Sequence, residues 1–319
     1  MSICDSISFV VQGPIRTASR TNEGYSTERC IYLLRHWFPK SEIVLSTWEG
    51  EACNFNGIDI LVKTPDPGGF VLEGGIPYNV NRQIASTKRG LERSTRPLCV
   101  KMRSDCVLFD DTLLSLLSVW LESDIKGSLF KRPLLCCDLF FRDPARLPLL
   151  FHIGDVFQAG LRDDLLRLWS IPAAAINDIS IGPFTKRSGS NPLLKWNYPA
   201  IRYVPEQYIW VTFLNSVGKS TSLSYLWEME PDLLRQSESS ISKNFQLLTT
   251  EELGLAVPSK FLQFMDYSSV YTNERLQAIR AGQTQERLTL VTKRLRWEKK
   301  EANRRQFKNL ARKLFLGSV

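Results

Sequence analysis

The sequence predicts an α/β protein built on an open sheet of the kind that binds nucleotides, and three observations carry that expectation. Apolar runs of strand length recur, each closing in polar or turn-forming residues. Between them lie segments with apolar residues three or four apart, the spacing of a helix face. The chain is 319 residues long and 43% hydrophobic, enough for one large core or two modest ones.

Residues 6–14 (SISFVVQGP) read as a buried first strand ending in a Gly-Pro turn. Gln12 and Gly13 at that end offer an amide and backbone N–H groups suited to a base or ribose, or else form an ordinary turn. A helix follows, with Thr21 or Asn22 as cap, Cys30, Leu33, Leu34 and Trp37 on its apolar side, and Pro39 as its stop. Residues 42–47 and 58–62 are two more strands, the first closing at Thr47. The resulting β-α-β-β order opens nucleotide-binding α/β domains more often than sandwiches.

The glycine-rich stretch 65–77 lacks the G-x-x-x-x-G-K-[ST] spacing of a phosphate loop, so no ATP or GTP site is read there. Residues 79–93 form the next helix. Asn81 and Arg82 in its first turn make either an anion site or a solvated helix start.

Residues 98–109 read as a strand. Lys101, Arg103 and Asp105 fall at every second position and therefore on one face of it. Charges at the carboxyl end of a buried strand need an opposite charge or a ligand. Residues 110–121 form a helix capped by its own aspartates. Residues 133–141 and 151–160 are further strands, the second carrying His152 and Asp155. Asp163 and Asp164 start another helix, residues 180–197 form a polar loop, and Pro205 opens a helix with Glu206 in its first turn.

The composition bounds the rest. No stretch approaches ~18 uninterrupted apolar residues, and the start lacks a basic signal-peptide region, so a cytoplasmic protein is expected. Seven cysteines without a C-x-x-C pair read as reduced core residues. Two histidines exclude a His-rich metal site. From residue 275 onward thirteen Lys or Arg face three Glu, a local +10 that leaves −2 of the chain's +8 for everything before it. Leu288, Val291, Leu295, Phe307, Leu310 and Leu314 recur at helical spacing within that tail. It reads as a basic amphipathic helix, either on an anionic membrane surface or packed on the body. Nucleic-acid binding is disfavoured, because the cations lie outside the body and no RNP, KH or zinc-finger pattern occurs. The expected division is a catalytic domain at 1–220, a mixed extension at 221–271 packing on it, and the tail at 272–319.

Taken in order, VVQGP (10–14), RHWFPKSEIVLSTWEG (35–50), DPG (66–68), YNVNRQIAS (78–86), KMRSD (101–105), DLFF (138–141), HIGDVFQAG (152–160) and PEQY (205–208) resemble the WavE family of lipopolysaccharide-synthesis proteins. The resemblance spans residues 6–215 and leaves the tail outside. It implies a Rossmann-like GT-A fold and a glycosyltransferase that uses a nucleotide-sugar donor and a glycan or lipid-linked glycan acceptor. Such a reaction needs charge stabilisation at the leaving diphosphate and a carboxylate base for the acceptor hydroxyl.

KMRSD lies where such enzymes carry D-x-D, with Arg103 in place of the first carboxylate. Asp105 is then a candidate ligand for Mg²⁺ or Mn²⁺, and Arg103 a candidate diphosphate partner in its stead. Gln12, Gly13, Thr47, Asn81, Arg82, Lys101, Arg103 and Asp105 form the expected donor-binding set. Asp155 and Glu206 are the candidate bases, with Asp155 preferred. Loss of the first D-x-D carboxylate also leaves room for a non-catalytic scaffold of the same fold.

Overall fold

In the computed structural model the described residues are 3–17, 24–72, 76–123, 126–180, 201–263 and 269–283. The strands are β1 (Ile7–Gln12), β2 (Glu42–Trp48), β3 (Ile60–Thr64), β4 (Phe70–Leu72), β5 (Ile76–Tyr78), β6 (Leu98–Arg103), β7 (Val107–Leu108), β8 (Leu134–Cys137), β9 (Phe157–Leu161), β10 (Phe245–Leu248) and β11 (Leu255–Ala256). The helices are α1 (Thr27–Trp37), α2 (Val80–Arg93), α3 (Thr112–Glu122), α4 (Arg162–Trp169), α5 (Ile176–Ile179), α6 (Pro205–Ser216), α7 (Pro231–Asn244), α8 (Ser259–Gln263) and α9 (Asn273–Arg280).

Seven strands make the central sheet in the order β10-β8-β9-β6-β1-β2-β3. β1 is parallel to both β2 and β6, β2 to β3, and β8 to β10, while β9 runs antiparallel between β6 and β8. This is the Rossmann-like α/β architecture that the sequence predicted. Alternation along β1 shows how the two faces are filled. Phe9 and Val11 join a core with Cys30, Leu34, Leu113 and Trp120 from α1 and α3. Val10 joins the opposite core with Ile84, Leu168 and Trp210 from α2, α4 and α6. Both faces of the sheet are covered, which is why its strands read as unbroken apolar runs.

Three expectations need correction. The cap of α1 is Ser26, whose Oγ accepts from Arg29 N at 3.2 Å; Thr21 and Asn22 lie outside the described residues. The 98–109 run is two strands, because Ser104 and Asp105 turn the chain after Arg103, and Val107–Leu108 pairs with β11 instead of extending the main sheet. The 151–160 strand begins only at Phe157, which puts His152 and Asp155 in the loop before it. The stretch 221–271 supplies β10, an edge strand of the main sheet, paired with β8 from Phe245↔Leu134 to Leu248↔Cys137.

The tail begins in the same way. Leu276 and Ile279 of α9 are buried in the core cluster that includes Ile241 of α7, so the start of the tail packs on the body. The stretch after residue 283, expected to lie on an anionic membrane surface or to pack on the body, and the 180–197 loop except for Ser180 lie outside the described residues. All seven cysteines are free, and all but Cys53 are buried. Among the described residues no helix is long and apolar enough to cross a membrane.

Candidate active site

The parallel strands β1, β2 and β6 all end at one edge of the sheet, and β1 is the strand from which neighbours were added on both sides. Ligands of open α/β sheets bind outside such a point. Gly13, at φ +118°, turns the chain there, and any Cβ on it would come 3.2 Å from Ser104 Oγ. Ser104 closes the gap between the two strand ends, its N–H donating to Gln12 O at 2.9 Å and its Oγ to Pro14 O at 2.7 Å. The Gln12 side chain accepts from Ser86 Oγ at 2.7 Å. Thr47 donates to Glu51, which also accepts from Ile15 N at 2.9 Å.

Beyond β6 the turn folds Asp105 back on Arg103, whose Nε and a terminal nitrogen donate to the two carboxylate oxygens at 2.9 and 3.0 Å. Lys260 of α8 reaches the same carboxylate at 2.9 Å. The neighbouring Phe261 ring lies 4.7 Å from the Arg103 guanidinium, a cation–π contact. Burial pushes the Asp105 carboxyl up, but Arg103 and Lys260 outweigh it and hold the group well below the usual carboxylate range. Lys260 and Phe261 were not anticipated: they come from the mixed region after residue 220, where the sequence offers no motif.

Both Asp105 oxygens accept from cations, and among the described residues no group of three His, Cys, Asp or Glu side chains converges on one point.

A second cluster forms where the loop before β9 meets the start of α6. The Gly154 backbone passes so close to residues 139–141 that a Cβ would lie 2.2 Å from Leu139 O, so only glycine fits this crossing. On either side of the contact Phe140 and Phe151 hold positive φ, +68° and +57°, uncommon for bulky residues and a form of local strain. His152 Nδ1 lies 2.6 Å from Phe140 O. A carbonyl only accepts, so Nδ1 carries the hydrogen and Nε2 presents a lone pair. Burial, with the Arg142 charge, lowers the His152 pKa to about 3, and the ring is neutral.

Nε2 faces Glu206 Oε2 at 3.9 Å. Pro205 fixes the first turn of α6 and thereby the position of Glu206. Burial, reinforced by the charge of Asp155, pushes Glu206 up to about 7. Asp155 Oδ2 is buried, with no hydrogen-bond partner among the described residues. Arg142 and Arg103 both act on Glu206 electrostatically, which ties this cluster to the first. Arg142, also missed in the sequence, donates to Ser269 Oγ at 2.6 Å and lies over the Phe140 ring at 5.4 Å.

The structure therefore brings Gln12, Gly13, Thr47, Arg103 and Asp105 to one sheet edge and couples Arg103 to Asp155 and Glu206. Three expected residues are occupied elsewhere. Lys101 is fully buried, donates to the Asp155 backbone carbonyl and sits 4.8 Å over Trp169, with burial lowering its pKa to about 8. It holds the loop rather than facing a ligand, and it does not share an open face with Arg103 and Asp105. Arg82 is locked to Asp66 by three hydrogen bonds of 2.7 to 3.1 Å. Asn81 exchanges two bonds with the Ala174 backbone, at 2.7 and 3.0 Å.

A seven-stranded, mostly parallel sheet covered by helices, with acidic and cationic side chains gathered at its carboxyl edge, defines a Rossmann-like α/β protein. The model of the WavE lipopolysaccharide synthesis family matches residues 7–315, and the chain belongs to that family. Its part in lipopolysaccharide synthesis follows from this membership. The match extends a hundred residues past the 6–215 span of the motif resemblance and takes in most of the tail. No curated protein matches the chain.

Proposed function

We propose that the protein is a glycosyltransferase moving a sugar from a nucleotide-sugar donor to a lipopolysaccharide-type acceptor. The observation that carries this reading is the Asp155–Glu206 pair. Asp155 is buried and Glu206 part-buried, both within the electrostatic reach of Arg103, and Glu206 is pushed up to about 7.

The chemistry follows from those residues. An acceptor hydroxyl attacks the anomeric carbon, the bond from that carbon to the diphosphate oxygen breaks, and the electron pair leaves with the nucleoside diphosphate. Glu206 accepts the hydroxyl proton. A base with a pKa close to working pH combines an adequate ionised fraction with useful proton affinity. Asp155 tunes Glu206 by its charge, which reverses the preference drawn from the sequence. Neutral His152 packs against Glu206 without competing for its charge. Arg103 and Lys260 meet the charge growing on the diphosphate, and Asp105 positions both. The basic residues after 283 suit an anionic membrane surface, where a lipid-linked acceptor would lie.

Incubation with UDP-, GDP-, CMP- and dTDP-sugars and lipopolysaccharide acceptors tests the reading. Transfer from one donor, lost in Glu206→Gln while the circular dichroism is unchanged, is the expected result. Transfer that survives a metal chelator is expected as well. The full pairing of Asp105 favours a second reading, a non-catalytic scaffold of the same fold. Normal surface polysaccharide in cells carrying only Glu206→Gln would establish the scaffold instead.

A further inference from the structure

We propose that a cavity of about 540 Å³, away from the carboxylate cleft, binds an acidic sugar, that is, a saccharide bearing phosphate or carboxylate. The cavity lies between the end of α6, the outer side of α7 and the turn at Gly127–Leu129. Its volume is within the ordinary range of small-molecule sites.

The charge on its walls is one-sided. Lys219 and Lys243 line it, and among the described residues neither side chain has a hydrogen bond or ion pair. Arg235 also lines it but is held by Asp232. No acidic side chain is among the described lining residues. A cavity with two unpaired cations and no carboxylate favours an anion.

Its neutral groups favour a polyhydroxylated partner. Ser220, Ser239 and Gln236 line it, and their side chains have no hydrogen bond within the described protein. Other polar residues there are committed to the frame. Asn244 Oδ1 accepts from Leu129 N at 2.6 Å and its Nδ2 donates to Ser240 O at 2.7 Å, while Trp210 Nε1 donates to Ser240 Oγ at 3.0 Å. The lining thus divides into fixed wall and free donors. Of the apolar lining only Leu129 is part-exposed, while Leu214 and Phe151 are buried behind it. Phe151 is fully buried and offers no open ring for stacking, which disfavours a nucleobase.

Glu206 stands in the first turn of α6 and the lining residue Leu214 eight residues later, an axial separation of about 12 Å. None of Arg103, Asp105, Asp155 and Glu206 is among the lining residues. The inference goes beyond the transferase reading, because its test reads binding alone and stands or falls apart from sugar transfer.

The full chain is titrated calorimetrically with mannose 6-phosphate, trigalacturonate, neutral maltotriose and inorganic phosphate. Saturable binding of at least one acidic saccharide, weaker or absent binding of maltotriose and phosphate, and a loss of about tenfold or more in K219A/K243A are expected. Both lysines are exposed and unpartnered, so the double variant keeps its melting temperature and any nucleotide-induced shift of it. No binding of either acid, undiminished binding by the double variant, or equal binding of maltotriose or inorganic phosphate overturns the proposal.

Discussion

Two charged clusters share one edge of the sheet, and they are built on opposite plans. In the first, Asp105 is nearly buried but accepts from Arg103 and Lys260, so its charge is fully answered. In the second, Asp155 is buried and Glu206 part-buried within reach of its charge, and no Lys or Arg side chain is bonded to either carboxyl among the described residues. Burial acts on both in the same direction, yet Asp105 ends far below the carboxylate range and Glu206 far above it. Partners, not depth, decide the outcome. A satisfied cluster fixes geometry, whereas an unsatisfied one keeps a proton in play, and such groups concentrate at functional sites.

The sharpest way to break this contrast is Glu206→Gln, which keeps the shape and removes the titrating group. Transfer is expected to fall by roughly 10²- to 10⁴-fold, the range for loss of a general base, with the melting temperature little changed. A donor-saturated assay checks it, and a variant retaining wild-type kcat would remove Glu206 from the chemistry. Next in size is Asp105→Ala, which leaves Arg103 uncompensated and is expected to cost about 3 kcal/mol in urea unfolding. The folded pKa of Asp105 is depressed, so this contribution is present above the unfolded value of ~4 and is lost as pH falls below it.

Asp155→Asn removes the charge that helps raise Glu206. In the wild type, kcat is expected to rise with pH through an apparent pKa near the Glu206 value of about 7. In the variant that acid limb moves to lower pH; an unmoved limb would separate the two carboxyls. The smallest effect belongs to Lys260→Ala. Its ammonium is half exposed, so stability changes by no more than about 0.5 kcal/mol. Nucleoside diphosphate affinity is expected to drop about tenfold all the same, as for one lost charge-assisted contact. Equal affinity by calorimetry would confine Lys260 to a structural role.

How much of this was legible depends on how local each signal is. β1, β2, α2 and α6 could be read closely because their apolar spacing, and for α6 Pro205, are properties of neighbouring residues. The break after Arg103 could not. Residues 98–109 are apolar enough to pass for one strand, and the turn at Ser104 and Asp105 is held in part by partners far along the chain, Gln12, Pro14 and Lys260. β10 escaped for a similar reason: four residues, FQLL, look like a strand only beside β8. Arg82 shows the converse. Its helix-start position suggested an anion, and the anion it found was Asp66, a turn of the same chain. Asp155 and Glu206 were legible as acids in suggestive motifs, but their mutual influence exists only in three dimensions.

The Lys260–Asp105 contact also has a bearing on time. Synthesis runs from the amino end, so β6 and its carboxylate leave the ribosome long before α8 does. Until residue 260 emerges, Asp105 has Arg103 alone, and β8 lacks the neighbour that β10 will supply. Until then the β8 margin is open and Asp105 has one of its two cationic partners. Competence at this edge arrives late, when the carboxyl-terminal third closes it.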